Sequence, residues 1–230
     1  MRVIIKKIIC RFFELFIPSS LIFEFHHIID NPEICKSRCI LSYDRFTSLI
    51  EKYSCYDSVE KVVKNPGKRR IAITFDDGMS DVYEVAYPYL KSKNIPFTVF
   101  IISDFLDTPG YMTSEQLKLL SEDPLVTIGS HGVSHEILSD MTAEQQHNEL
   151  YGSKEHIEKI IGKKVSLFAY SHGFYDLNTL KLMKIYNYGF STRELPLNFL
   201  TRSKYVLPRY GFQNENYDAN VKKIEQFIRE

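Results

Sequence analysis

Residues 71–78 read Ile71-Ala72-Ile73-Thr74-Phe75-Asp76-Asp77-Gly78, a short apolar, β-branched run that closes on two carboxylates and a glycine. Such a run, bounded by a turn signal, predicts a buried strand over Ile71–Phe75. Ser80 then stands where it can cap a helix running to about Lys93 and tolerating Pro88 near its middle. Strand followed by helix repeats in both directions. Upstream, Leu21–Phe25 reads as a strand and Tyr43–Tyr53 as a helix. Downstream, strands are predicted at Phe97–Ile102, Leu125–Gly129, Val165–Tyr170 and, briefly, Tyr205–Leu207. Between them Thr113 with Gln116 forms a capping box for a helix to Ser121, and Thr142 with Gln145 forms another for a long helix that Gly162 ends. Helices are also predicted at Asn178–Tyr186 and Ala219–Ile228. This alternation specifies an α/β domain on a mostly parallel sheet.

The rest of the composition narrows the field. The chain has 230 residues, 44% of them apolar and 13% aromatic, enough for one full core over residues 19–230. Lys plus Arg equals Asp plus Glu at 29 each, so no bulk basic surplus draws the surface to nucleic acid. Cys10, Cys35, Cys39 and Cys55 crowd the first quarter of a chain too long to need stapling, and suit reduced thiols. Cys35 and Cys39 resemble a metal half-site, but no second cysteine pair completes it.

Residues 1–18 are set apart. Ile4, Ile5, Ile8, Ile9, Phe12, Leu15 and Phe16 gather on one helical face, with Arg2, Lys6, Lys7 and Arg11 largely opposite, and Pro18 stops the pattern. This amphipathic basic helix is too interrupted to span a bilayer. It reads either as a membrane-surface anchor, giving peripheral contact through residues 1–17, or as a helix packed on the domain. With no clear cleavable signal, the expected location is cytoplasmic, with the helix on the inner membrane face.

Chemistry gathers just past three strand ends, which share one face in a parallel α/β fold. At Asp76-Asp77-Gly78 one carboxylate can hold a cation while its neighbour acts as a base; Asp-Asp-Gly is also an ordinary turn. At Ser130-His131-Gly132-Val133-Ser134-His135 two imidazoles four residues apart suit one metal ion. His147 and His156, inside a polar helix, have no such partner. Two His and one Asp leave coordination positions open, and a bound Zn²⁺ lowers the pKa of its water from about 15.7 toward about 7, which makes hydrolysis the natural reaction. The third strand end is Phe168-Ala169-Tyr170-Ser171-His172-Gly173.

These segments resemble the polysaccharide deacetylases, the NodB-homology group of carbohydrate esterases. Thr74–Gly78 matches the family's T-F-D-D-G, Ser130–His135 matches S-H-x-x-S-H, and Phe168–Gly173 sits where the family often has F-A-Y-P-Y-G. Phe25-His26-His27-Ile28 looks like an early Y-H-R-V, and Val206-Leu207-Pro208-Arg209 like a late L-P-R. The resemblance covers nearly everything from residue 21 onward. It implies a distorted (β/α) barrel, dependent on a divalent metal (Zn, with Co, Ni or Mn as alternatives), that removes N-acetyl groups from a glycan or lipid-linked sugar. By motif position Asp77, His131 and His135 would ligate the metal, and Asp76 would be the general base. A backbone N–H near His172 would help stabilise the oxyanion, and His26, Tyr170 and Ser171 would meet substrate.

The departures matter equally. Ala169, Ser171 and His172 replace the Arg, Pro and Tyr often found in the third motif, so the Arg that normally orients the catalytic Asp is missing there. Arg209 is the candidate replacement, against a simple surface ion pair. No histidine follows His172, so the usual late general acid is absent, and there is no Trp for the wall beside it. His172 or a water is left to protonate the leaving amine. His26 is equally readable as a satisfied core histidine, and Tyr43, Tyr111 and Tyr175 as sugar-stacking rings or packing. Two further readings stand beside the deacetylase: a catalytically impaired sugar-binding relative, and another single-metal hydrolase such as a phosphoesterase. No Gly-rich phosphate loop supports the last.

Overall fold

The computed structural model describes residues 17–29 and 37–228. The amphipathic segment before Ile17 and the thiols of Cys10 and Cys35 lie outside them. Seven parallel strands form one curled sheet in the order β8-β7-β6-β5-β4-β1-β9. They are β1 (Leu21–Phe25), β4 (Ile71–Phe75), β5 (Phe97–Ile101), β6 (Val126–Ser130), β7 (Leu167–Ala169), β8 (Tyr188–Phe190) and β9 (Tyr210–Gly211). A separate parallel pair is made by β2 (His27–Ile29) and β3 (Ile40–Ser42). Helices flank the sheet, as the distorted barrel requires.

One segment stitches the two sheet edges together. Leu207 bridges Phe190 of β8, and three residues later Tyr210 pairs with Phe23 of β1. Residues 207–211 therefore cross the gap between the edge strands, and Arg209 sits in the middle of that crossing. This is where a strand over Tyr205–Leu207 was expected; only its last residue pairs, because the chain must step sideways from one edge to the other. The missed elements β2, β3, β8 and β9 are two or three residues long, too short for a period to show.

Alternation along the strands sorts the side chains. Leu21, Phe23, Phe25, Ile71, Ile73, Phe75, Phe97 and Val99 join the main core with Phe46, Leu49 and Leu117 of the outer helices. Ile22, Ala72 and Phe100 belong to a second cluster with Leu207 and with Val59, Val62 and Val63 of the short helix Val59–Lys64. In register with that second set stand Glu24, Thr74 and Thr98, hydrogen-bonded neighbours across three adjacent strands. The barrel interior is thus apolar at one end and polar toward the strand C-termini.

Local chemistry explains most boundaries. Both predicted capping boxes form, at Thr113/Gln116 and Thr142/Gln145, and Gly162 closes the second helix with φ of +68°. Asp176 makes a third box with Thr179 ahead of Leu177–Leu182. Ser80 lies inside the first helical turn rather than capping it. The turn Val82–Ala86 is π-helical and precedes Tyr87–Ser92. That widening relieves the clash an interior proline would make with the carbonyl four residues back, which is how Pro88 is tolerated. Phe25 packs against Phe23, Phe46, Phe75 and Phe212, with ring centroids 5.3–6.3 Å apart. Phe25→Ala is expected to cost about 3–5 kcal/mol, read by denaturant unfolding; a loss under about 1 kcal/mol would mean the cluster is not the core's centre.

Candidate metal centre and catalytic pair

Asp76 and Asp77 leave the end of β4 in opposite directions because the backbone reverses between them. Asp77 has φ of +71° and Gly78 +76°. His135 and His172 also occupy the left-handed region, at +65° and +55°. Three non-glycine residues in this costly conformation around one point indicate that the surroundings over-determine their positions.

Asp77 Oδ1 lies 3.4 Å from His131 Nε2 and 3.4 Å from His135 Nε2. It is buried and has no hydrogen-bond partner, a costly state for a carboxylate oxygen unless a cation shares the pocket. His131 Nδ1 is 2.8 Å from the Ala169 carbonyl. A carbonyl only accepts, so Nδ1 carries the proton and Nε2 offers its lone pair toward Asp77. One carboxylate and two imidazoles with open lone pairs are the donor set of a divalent transition ion, and these residues fit one. Burial would raise the Asp77 pKa, but the neighbouring imidazoles, His131 first, hold it well below the usual carboxylate range. His135 is pushed down to about 4 by burial and by His131. Burial also acts to lower His131, yet Asp76 and Asp77 raise it above the ordinary imidazole value.

Asp76 is held from the other side. Arg209 Nη1 donates to Asp76 Oδ1 at 2.7 Å and Nη2 to Oδ2 at 2.8 Å, a bidentate fork. Nη1 also donates to Thr74 Oγ1 at 3.2 Å, and Nε to the Ser191 carbonyl at 3.3 Å. The guanidinium is 0% exposed and lies 5.5 Å from the centre of the Phe100 ring. Burial would raise the Asp76 pKa, but the Arg209 charge lowers it overall, so the carboxylate stays ionised. Its Oδ2 is 3.8 Å from His131 Nε2, next to the cation pocket. Arg209 is therefore no surface ion pair.

Two groups here carried no sequence signal. Glu24 is 6% exposed, its Oε2 lies 3.1 Å from Arg209 Nε, and it makes no hydrogen bond there because Nε is directed to Ser191. Burial raises its pKa despite Arg209. Glu149 accepts from the Val133 and Ser134 N–H groups at 2.7 and 3.1 Å and from Ser134 Oγ at 2.7 Å, bracing the loop that carries both histidines. Only strand parity and a long-range helix contact reveal them.

The remaining candidates separate. His26 is half-buried and shares a cluster with Glu24 and Asp76, their ligand atoms within 4.8 Å of one another. His27 instead bonds Asp81 at 2.6 Å and ties β2 to the helical turn that follows β4. His172 is exposed at the rim, its ring 4.5 Å from that of His135. Tyr170 and Ser171 do not reach the mouth: the phenol donates to the Tyr205 carbonyl, the Ser171 hydroxyl to the His131 carbonyl, and both residues are buried. The strand end points them into the protein, so the expected substrate contact is replaced by support of the site. Tyr43 packs on Tyr89 and Tyr175 on Tyr170, whereas Tyr111 bridges Met79 beside the Asp77 turn.

Comparison with known proteins agrees with this geometry. The Polysaccharide deacetylase family profile matches residues 63–191, more than half of the chain. The chain belongs to the polysaccharide deacetylase family. It is 33% identical over 118 residues to the putative polysaccharide deacetylase YxkH of Bacillus subtilis, covering 51% of this chain and 42% of that protein. It is 24% identical over 180 residues to the poly-beta-1,6-N-acetyl-D-glucosamine N-deacetylase of Staphylococcus epidermidis, covering 71% and 61%. The chain thus spans less than two thirds of the length of these relatives. In fold it superposes on the Streptococcus pyogenes deacetylase PplD with TM-score 0.76 at 23% identity, covering 89% and 97% of the two chains. The corresponding values for IcaB of Ammonifex degensii are 0.75, 19%, 91% and 97%.

Zn²⁺ at about 100 times its Kd is expected to stabilise the protein by about 2.7 kcal/mol, and His135→Ala to abolish that gain in a thermal melt. The gain shrinks as pH falls, because the raised pKa of His131 makes protons compete with the ion. Equal stabilisation of both proteins would place the ion elsewhere. Arg209→Met is expected to cost about 3–5 kcal/mol, since it strands Asp76 and Glu24 as buried carboxylates; unfolding midpoints of the two proteins measure this.

Proposed function

We propose that this protein hydrolyses N-acetyl groups on the amino sugars of a cell-envelope glycan, using a divalent ion, with zinc as the first choice, at Asp77, His131 and His135. The observation that carries the reading is the buried Arg209–Asp76 fork beside an Asp-His-His set in which the buried Asp77 Oδ1 has no hydrogen-bond partner. Such an ion supplies Lewis acidity toward water and an amide carbonyl. Asp76, ionised and fixed by Arg209, takes the proton from the attacking water as general base. His26, beside Asp76 and Glu24, returns a proton to the departing amine, the task for which the chain offers no late histidine. His172 borders the opposite side of the mouth, and exposed Phe174 and Leu177 beyond it, 56% and 78% exposed, provide apolar faces for pyranose rings.

A polymer of β-1,6-linked N-acetylglucosamine is the substrate this reading favours, supported by the broad match to enzymes named for it, whereas the match to the B. subtilis peptidoglycan-N-acetylmuramic acid deacetylase PdaA covers 54% of the chain. Acetate release from defined oligomers of both kinds tests this. Asp76→Asn is expected to lower kcat by at least about 100-fold with metal content unchanged. His26→Asn should lower kcat more than KM, and should flatten the alkaline limb of the pH profile, where an acid must be protonated. Full activity in Asp76→Asn would remove the assignment, and a larger loss in His172→Asn than in His26→Asn would move the acid to the rim.

A further inference from the structure

The loop that carries the two histidines is fixed unequally at its two ends. The His131 ring donates to the Ala169 carbonyl, the His131 N–H bonds the Ile101 carbonyl, and its own carbonyl accepts from Ser171 Oγ. His135 has no such support. Among the described residues its ring meets only Asp77 and the rings of His131 and His172, and its backbone sits in the left-handed region at φ +65°. The second imidazole therefore reaches Asp77 only while residues 132–134 keep their shape.

All three of these residues lead back to Glu149. Its Oε2 accepts from the Val133 and Ser134 N–H groups at 2.7 and 3.1 Å, and its Oε1 from Ser134 Oγ at 2.7 Å. Gly132 is tied through a chain whose direction its donors decide. Ser153 Oγ donates to the Glu149 carbonyl, so it accepts from Ser130 Oγ, 2.7 Å away, and Ser130 Oγ in turn accepts from the Gly132 N–H at 3.2 Å. The carboxylate and the carbonyl of one residue thus anchor three successive loop residues. Glu149 is 4% exposed, and its carboxylate has no cation partner among the described residues, so its burial is tolerable only while the loop supplies those donors.

The helix is shaped for this contact. Asn148–Gly152 is a π-helical turn set between Ala143–His147 and Ser153–Ile161, an interruption that recurs at functional sites in otherwise regular helices. In that turn the Glu149 and Leu150 carbonyls are taken up by the hydroxyls of Ser153 and Tyr186. Gly132 completes the fit, since a Cβ there would lie 2.7 Å from Glu149 Oε2.

We propose that Glu149 is the positioning residue for His135: through residues 132–134 it holds the second imidazole against Asp77 and so sets the affinity of the site for its ion, a role that rests on the metal reading of Asp77, His131 and His135 given above. Titration of the metal-free protein with Zn²⁺ against a chromophoric chelator tests it without turnover. Glu149→Ala is expected to weaken binding about 10- to 100-fold, the range for losing a group that orients a metal ligand. Glu149→Gln should stay within about threefold of the wild type, because its amide oxygen takes both N–H groups while its NH2 donates to the Ser134 hydroxyl, which accepts as well as donates. Glu149→Asp, a methylene too short to reach all three donors, should weaken binding in the same direction as Glu149→Ala. Loaded with Co²⁺, Glu149→Ala should give the visible spectrum of His135→Ala, and Glu149→Gln that of the wild type. Equal losses in the Ala and Gln variants would overturn the proposal, as would wild-type affinity in Glu149→Asp. So would a Glu149→Ala protein that unfolds earlier without metal yet binds Zn²⁺ and Co²⁺ as the wild type does, which would leave Glu149 a purely structural part. A wild-type protein that binds no Zn²⁺ would overturn the metal reading and this role with it, whereas unchanged binding in Glu149→Ala overturns this role alone.

Discussion

A guanidinium with no access to solvent governs the end of the barrel where the strand C-termini meet. Arg209 is buried among Asp76, Glu24, Thr74 and the Phe100 ring, and desolvating it is tolerable only because two carboxylates lie against it. The fork fixes both oxygens of Asp76, leaving that carboxylate one orientation and a firmly ionised state. Glu24, Asp76 and Asp77 against Arg209 amount to a formal excess of two negative charges. That acidic excess faces the pocket where Asp77, His131 and His135 offer ligand atoms within 4.8 Å of one another.

Backbone alternation makes this possible. Strand parity sends Phe25 and Phe75 outward to the helices and sends Glu24 and Thr74 inward, in register on neighbouring strands. A one-residue slip in either strand would exchange the aromatic core for the polar interior. The core and the site are therefore alternate faces of the same strands. The segment 207–211, which joins the sheet edges, inserts its arginine into the only face that offers it oxygen partners among the described residues.

What the sequence revealed follows from the range of each signal. The motif ends of β4, β6 and β7 are local strings, and the capping boxes at Thr113 and Thr142 are four-residue patterns, so they were legible. The alternation of strands and helices was legible for the same reason. Glu24 and Glu149 are single acids whose meaning depends on partners 185 and 16 residues away, at Arg209 and Val133. No window contains those pairs. Tyr170 and Ser171 failed differently: their motif lies at the mouth, but side-chain direction at a strand end is set by pleat and twist, which turn both groups inward. Arg209 was identifiable as a candidate, and only the barrel interior distinguishes an orienting arginine from a surface one.

The molecule is also polar from end to end. Strand C-termini bring together Asp76, Asp77 and the histidines, while the loops that precede the strands carry Lys68, Arg69, Arg70 and Arg202 beside Phe199 and Leu200. A chain whose 29 basic and 29 acidic residues cancel overall can still present opposite charge at its two ends.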